Sequence, residues 1–279
     1  TMSWWHALIL GVVQGLTEFF PISSSGHLEL VPWLFNWSDL DSESVSTAFD
    51  AALHLGTLLA VVVAVRSDLA KLIVAGVRYP VASAEERVAT PHGRLAWLYL
   101  LTAVPAAVVG ALFDDVIAEQ LGGPVAVAVS LIGFGAVLWW ADRRTGERTP
   151  EHLTVRDAWL IGAAQVLALN PGTSRSGITI SAMRALGYGR AAAVRMSFVI
   201  GVPIIAGAGV WKVVGMIIDG VPDGLASAMV IGVGAAAVTG WLAITALQRL
   251  AARSNFNIFV WYRVALGVAV LGIVASGIR

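Results

Sequence analysis

The sequence predicts an all-α integral membrane protein, with six transmembrane helices and two re-entrant helical hairpins in an inverted-topology repeat. Three observations lead there. Hydrophobic residues make up 57% of the 279 positions and charged residues only 13%, with a mean hydropathy of +0.78. Soluble domains carry about 25% charge, so this chain has too little polar surface to cover a soluble core. Long apolar runs recur from end to end, which makes residues 1–279 a single polytopic domain. Two further apolar runs are each interrupted by a polar Ser/Gly motif.

Six segments are long enough to cross about 30 Å of hydrocarbon: roughly 46–65, 95–113, 123–141, 196–218, 225–247 and 255–277. Residues 4–35 break at Pro21-Ile22-Ser23-Ser24-Ser25-Gly26, and residues 158–183 break at Asn170-Pro171-Gly172-Thr173-Ser174-Arg175-Ser176-Gly177. The arms on either side of each break are marginal or short for a crossing. Short arms around a polar break describe a hairpin that must be buried in protein or line a cavity.

The charges orient these elements. Fourteen of the eighteen basic residues fall in four connections, around Arg66–Arg94, Arg143–Arg156, Arg184–Arg195 and Arg249–Arg253. Three other connections hold only acids: Asp39, Asp41 and Glu43; Asp114, Asp115 and Glu119; Asp219 and Asp223. The positive-inside rule puts the first set in the cytoplasm and the second outside. Sides then alternate through all six spans, with the first hairpin opening outward, the second inward, and both termini outside. The first Lys or Arg is Arg66, so no basic signal-peptide region is visible, and Thr1 ahead of Met2 reads as an addition.

Each half is thus one hairpin and three spans, about 1–141 and 156–279, in opposite orientations. Gly11, Gln14, Leu16, Ser23, Ser25 and Gly26 match Gly162, Gln165, Leu167, Ser174, Ser176 and Gly177 at a constant offset of 151 (174 − 23). Inverted repeats with broken helices place a site near the midplane, where the breaks meet.

Charges left inside the membrane are functional candidates, because each costs about 2.5–3.5 kcal/mol or more. Arg175, between two serines at a helix break with freed N–H groups, points to an anion site, phosphate above all. Ser23, Ser25, Gly26, Thr173, Ser174, Ser176 and Gly177 complete the expected phosphate cradle. Glu18, Ser24 and His27 gather a carboxylate, a hydroxyl and an imidazole at the first break, which suits base, nucleophile and acid. Gln14 lies four residues from Glu18, on the same helical face. Glu18 reads as a base, a metal ligand or a partner of Arg175. A carboxylate near a diphosphate often acts through a divalent cation, here Mg²⁺ or Ca²⁺ bridged by substrate. Asp50 and His54 are expected behind this first layer. Arg263, after Tyr262, could pair with Glu18 or Asp50 or reach lipid headgroups. Lys212 is expected to snorkel outward, and the glycines of 201–240 to serve close helix packing. Trp4, Trp5, Trp33 and Trp37 suit an interfacial belt. Zero net charge gives no reason to expect nucleic acid, and the lack of cysteine excludes disulfides, thiolate metal sites and cysteine nucleophiles.

The run from Gly11 through Gln14, Glu18 and Ser24 to His27 closely resembles the first signature of the undecaprenyl-pyrophosphate phosphatase (UppP/BacA) family. Pro171-Gly-Thr-Ser174-Arg175-Ser-Gly177 resembles its second, and the likeness extends over Phe49–Thr57 and Trp261-Tyr262-Arg263. The resemblance implies hydrolysis of a polyprenyl diphosphate, typically C55, to the monophosphate carrier used in cell-wall glycan export. It also implies an inverted-repeat fold and bacitracin resistance on overexpression. By position it makes Ser24 the proposed nucleophile, His27 the proposed acid/base and Arg175 the phosphate binder. Many members have Glu where this chain has Gln14, which leaves Glu18 to act alone, and Ser25 replaces a common Thr.

Three other readings compete. A polyprenyl-phosphate flippase or transporter, alone or in addition, uses the same inverted repeats and broken helices. A type-2 phosphatidic-acid phosphatase needs a second histidine nucleophile and a Lys/Arg-rich motif, neither found near the site. A channel or structural protein gives no reason for Glu18, His27 and Arg175 to sit at the two breaks. Glycine-rich helix faces allow a homodimer.

Overall fold

A computed structural model describes residues 2–40, 42–220 and 224–279; the side chains of 43, 114–120, 211–213 and 215–219 are outside the described part. The expected loop charges Asp41, Glu43, Asp114, Asp115, Glu119, Asp219 and Asp223, and the snorkelling Lys212, therefore lie outside the described residues.

The architecture is all-helical among the described residues, as twelve α-helices. They are α1 (Trp4–Phe19), α2 (Ser24–Phe35), α3 (Glu43–Ala64), α4 (Arg66–Arg78), α5 (Ala84–Ala89) and α6 (Pro91–Leu121), followed by α7 (Pro124–Asp142), α8 (Val155–Val166), α9 (Arg175–Ala185), α10 (Arg190–Asp219), α11 (Ala226–Ala251) and α12 (Asn257–Ala275). Six helical stretches among the described residues are long and apolar enough to cross a membrane: Ser44–Ala64, Pro91–Phe113, Pro124–Asp142, Arg190–Val210, Ala226–Ala251 and Asn257–Ala275. Each overlaps an expected span. Proline opens both α6 and α7 at the first helical position, where its missing N–H costs nothing.

Two expected boundaries moved. The fourth span begins at Arg190 rather than residue 196. Arg190 donates to Asp142 at 2.5 Å and Arg195 forks onto Asp68 at 2.7 and 2.5 Å, so these cations sit within a helix without being stranded. The segment 66–94 is not a plain connection but carries α4 and α5. A capping box on Ser83 starts α5. Helix α4 packs on α6, where Trp97 donates to the Gly76 carbonyl at 3.0 Å.

The broken helices are short. Helices α1, α2, α8 and α9 have 16, 12, 12 and 11 residues, so at 1.5 Å per residue none alone reaches the ~30 Å of a hydrocarbon core. Helix α1 lies in a groove of α11 because both present glycine there. A Cβ on Gly11 would come within 2.6 Å of the Gly232 carbonyl, and one on Gly15 would strike Thr239. Gly232 and Gly240 in turn accept Phe49, Leu53 and Phe19 against the α11 backbone. The expected role of the 201–240 glycines in close packing is met at these two.

Candidate functional site

Both breaks are built the same way. At the first, Ser23 has φ 75° and its hydroxyl accepts the Gly26 N–H; at the second, Ser174 has φ 76° and accepts the Gly177 N–H. A left-handed backbone is uncommon for serine and persists where surrounding contacts over-determine it. Here the contacts are mutual. The Ser23 hydroxyl also accepts the Gly172 N–H at 3.1 Å, and the Ser176 hydroxyl donates to the Phe20 carbonyl at 3.1 Å. Gly26 and Gly172 let the backbones touch: a Cβ on Gly26 would lie 3.3 Å from Gly172, and one on Gly172 2.6 Å from the Val127 carbonyl.

Arg263 clamps this joint. Fully buried on α12, it donates through Nη1 to the carbonyls of Pro21 and Thr173 at 3.0 Å each. Nη2 donates to Gly172 at 2.9 Å, Thr173 at 3.0 Å and Ser130 at 3.4 Å, and Nε to Leu131 at 3.0 Å. Pro21, Gly172 and Thr173 lie in the two breaks, just past the ends of α1 and the 3-10 turn Leu167–Leu169, while Ser130 and Leu131 belong to α7. Of the three partners the sequence allowed for Arg263, none is used: it holds main-chain carbonyls of both breaks.

Beside the joint is a cavity of about 160 Å³ lined by Glu18, Ser24, Ser25, His54, Gln165 and Arg175, with Ser23 and Ser174 at its floor and Ile204, Ile205 and Ala208 on its apolar wall. At ~30 Å³ per water it holds several waters, the scale of a phosphoryl group. Glu18 is its centre. Its Oε2 accepts the Ser24 hydroxyl at 2.6 Å and, more weakly, the Gln14 amide at 3.3 Å; its Oε1 accepts Arg175 Nη2 at 2.9 Å. One carboxylate thus joins a residue of the first break to one of the second, 157 positions away. Both partners of this ion pair are nearly buried, at 11% and 7% side-chain exposure, so solvent screens it little. Arg175 is further held by the Ser197 carbonyl at 3.1 Å, and Gly201 makes room for it, since a Cβ there would collide with its guanidinium.

The expected residues separate into two groups. Glu18, Ser24, Ser23, Ser25, Ser174, Arg175 and His54 line the cavity. Gly26, Thr173, Ser176 and Gly177 build the joint instead: Thr173 accepts from Asn170 at 3.1 Å, and Ser176 is fully buried. His27 is buried outside the cavity lining, with its Nδ1 donating to the Ser23 carbonyl at 2.6 Å and its Nε2 2.7 Å from the Tyr262 hydroxyl. Both ring nitrogens are taken, and the ring stacks on Tyr262 at 8°. The Asp50 carbonyl accepts from His54 Nδ1 at 2.8 Å. Gln165 and Gly201 were not read as site residues. Gln165 appeared only as the repeat equivalent of Gln14; Gly201 looked like any packing glycine.

The donor set does not fit a cation held by protein alone. Both oxygens of Glu18 are engaged, Gln14 turns its NH₂ towards it, and among the described residues no group of three His, Asp or Glu could hold a metal.

The family described as bacitracin resistance protein BacA matches residues 7–269. A protein of Desulforudis audaxviator is 44% identical over 272 residues, covering 97% of both chains. One of Geobacter metallireducens is 42% identical over 268 residues, covering 95% of this chain and 96% of its own. One of Gemmatimonas aurantiaca is 42% identical over 277 residues, covering 99% of each. All three are named undecaprenyl-diphosphatase. With its two breaks joined around Glu18 and this likeness running nearly end to end, the chain belongs to the BacA family.

Proposed function

We propose that this protein hydrolyses undecaprenyl diphosphate, or a closely related polyprenyl diphosphate, to the monophosphate and phosphate, recycling a lipid carrier within the membrane. The observation that carries the reading is the Glu18 carboxylate, shared between the Ser24 hydroxyl at 2.6 Å and Arg175 at 2.9 Å in a cavity with an apolar wall. In this reading the incoming diphosphate draws Arg175 away from Glu18. The freed carboxylate accepts the Ser24 proton as the hydroxyl attacks the terminal phosphorus. The bond to the bridging oxygen breaks and the prenyl monophosphate leaves. Arg175, Ser174 and the N–H groups at the start of α9 hold the phosphoryl oxygens, and such positioning and charge neutralisation supply most of the rate in phosphoryl transfer. The prenyl chain leaves along Ile204, Ile205 and Ala208. His27 positions Ser23 and the break. A divalent cation, Mg²⁺ or Ca²⁺, would come with the diphosphate as part of the substrate and supply charge neutralisation there.

The hairpins are proposed to enter from opposite faces, with the basic connections cytoplasmic, both termini outside and the phosphate entering from the outer face. Gly207 and Gly234 meet no neighbour and offer a face for a second copy.

The test is phosphate release from a prenyl diphosphate by purified protein in detergent. Glu18→Gln, Ser24→Ala and Arg175→Ala are each expected to lose at least ~100-fold, the scale of a lost transition-state contact. Full hydrolysis by Arg175→Ala would overturn the site. Tight binding without hydrolysis by the wild type would turn the reading to a lipid transporter.

A further inference from the structure

The proposed reaction leaves a second step without a residue. Once the terminal phosphoryl group is on Ser24, a water must be held in line with phosphorus, and a group that only accepts hydrogen bonds must hold it. Glu18 is then protonated and Arg175 is occupied by phosphoryl oxygens. His27, with both nitrogens engaged, is not available.

His54 is. It lies on α3 and is among the residues lining the cavity of Glu18, Ser24 and Arg175. Its Nδ1 is 2.8 Å from the Asp50 carbonyl. A carbonyl only accepts, so Nδ1 carries the hydrogen and Nε2 of the neutral ring carries the lone pair. Nε2 has no hydrogen-bond partner among the described residues, yet it is not a sealed orphan either. The side chain is half-buried in the cavity lining, and of its two ring nitrogens Nε2 is the one left unengaged. The fixed Nδ1–H holds the tautomer as it holds the ring, leaving an acceptor one backbone hydrogen bond from α3.

Resting on the phosphatase reading, we propose that His54 is the catalytic residue that holds the lytic water and takes its proton. Nε2 accepts one hydrogen of that water and aims its oxygen at the Ser24-bound phosphorus. The water oxygen forms a bond to phosphorus as the phosphorus–Ser24 oxygen bond breaks. Glu18 returns its proton to the Ser24 oxygen, and the water proton passes to Nε2 and on to the departing phosphate. Enzyme groups end as they began. The charged groups facing His54 across the cavity are Glu18 on α1 and Arg175 on α9. On its own helix is Asp50, whose backbone carbonyl it engages; α10 faces the cavity with Ile204, Ile205 and Ala208.

Three variants of the full chain, assayed on a prenyl diphosphate in detergent, separate this role from a structural one. His54→Ala removes the acceptor and is expected to lose about 10- to 100-fold in steady-state kcat, with labelled phosphate trapped on Ser24. His54→Gln keeps an acceptor at similar reach and is expected to recover most of that loss near neutral pH. Labelled phosphate should build up on Ser24 in His54→Ala and not in His54→Gln, with KM little changed in either, a split that a merely structural role would not produce. Ser24→Ala combined with His54→Ala should trap no phosphate. Size-exclusion profiles and melting of each variant report folding. Wild-type kcat in His54→Ala, or a fall in its kcat with no phosphate held on Ser24, overturns the inference and leaves the phosphatase reading standing. An inactive wild type overturns both.

Discussion

Glu18 is where the two halves of the chain meet chemically, and its neighbours set the most sensitive positions. Gly201 contacts no reacting atom, but its missing Cβ is the space Arg175 occupies. Gly201→Ala is expected to push the guanidinium off Glu18 and lower kcat about 10- to 100-fold, the cost of displacing a binding group by about an ångström. Melting should change far less, because the guanidinium is the far end of a flexible side chain. A second polar cluster lies away from the cavity. Asp39 accepts the Ser3 N–H at 2.8 Å and sits 2.6 Å from His6, whose ring stacks on Trp37 at 3.9 Å. Partial burial acts to raise the Asp39 carboxyl, but the Ser3 N–H and then His6 outweigh it, holding the group below the usual aspartate value. A depressed carboxyl lends stability above its unfolded pKa of about 3.9 and loses it as pH falls through the lower folded value. Asp39→Asn should therefore melt earlier than wild type at neutral pH, and the gap should close in acid below about pH 4.

At the scale of elements, the two breaks work as one joint because one residue of α12, Arg263, bonds to both. Arg263 donates to the carbonyls of Pro21, Gly172 and Thr173, all buried residues, and removing it takes those bonds away. Arg263→Met is expected to cost about 3–5 kcal/mol, the scale of breaking a buried charged network, and to abolish hydrolysis by letting the tips part. Lysine keeps the charge but has three donors on one nitrogen and cannot fork onto carbonyls of both breaks. Arg263→Lys should restore little, and melting curves beside phosphate release check both variants. The arms themselves were legible from hydropathy, and Ser23 and Ser174 from their spacing. That two serines adopt φ near 75° was not, since this conformation follows from contacts across the joint.

At the scale of the molecule, charge pattern and packing make separate statements. Asp142 at the end of α7 accepts from Arg190 on α10 at 2.5 Å and from the Phe256 N–H before α12 at 2.9 Å, tying three spans together at the end rich in basic residues. Arg143 and Arg144 lie over Trp139 and Trp140 at 3.9 and 4.6 Å, cations against rings that suit the membrane edge. The proposed orientation is directly testable, because the chain has no cysteine to remove. A membrane-impermeant maleimide should label Ser42→Cys on intact cells and label Ser254→Cys only after permeabilisation. The reverse pattern would invert the assignment.

The sequence by itself determined the class, the six spans and the two broken helices, and offered Glu18, Ser24 and Arg175 as candidates. Hydropathy, helix-breaking chemistry and the cost of charge in hydrocarbon are local properties, readable one residue at a time. Tertiary structure alone decided which of the candidates share a cavity. It set His27 against Tyr262 and outside the cavity, placed His54 within it, and turned Arg263 from acids and lipid towards the backbone of both breaks. The physical reason is that a side chain's partners depend on the faces its neighbours leave open. For His27 and His54, each four residues beyond the carbonyl that fixes its Nδ1, sequence spacing offered the same local anchor, and only the packing of α12 and α10 distinguished them.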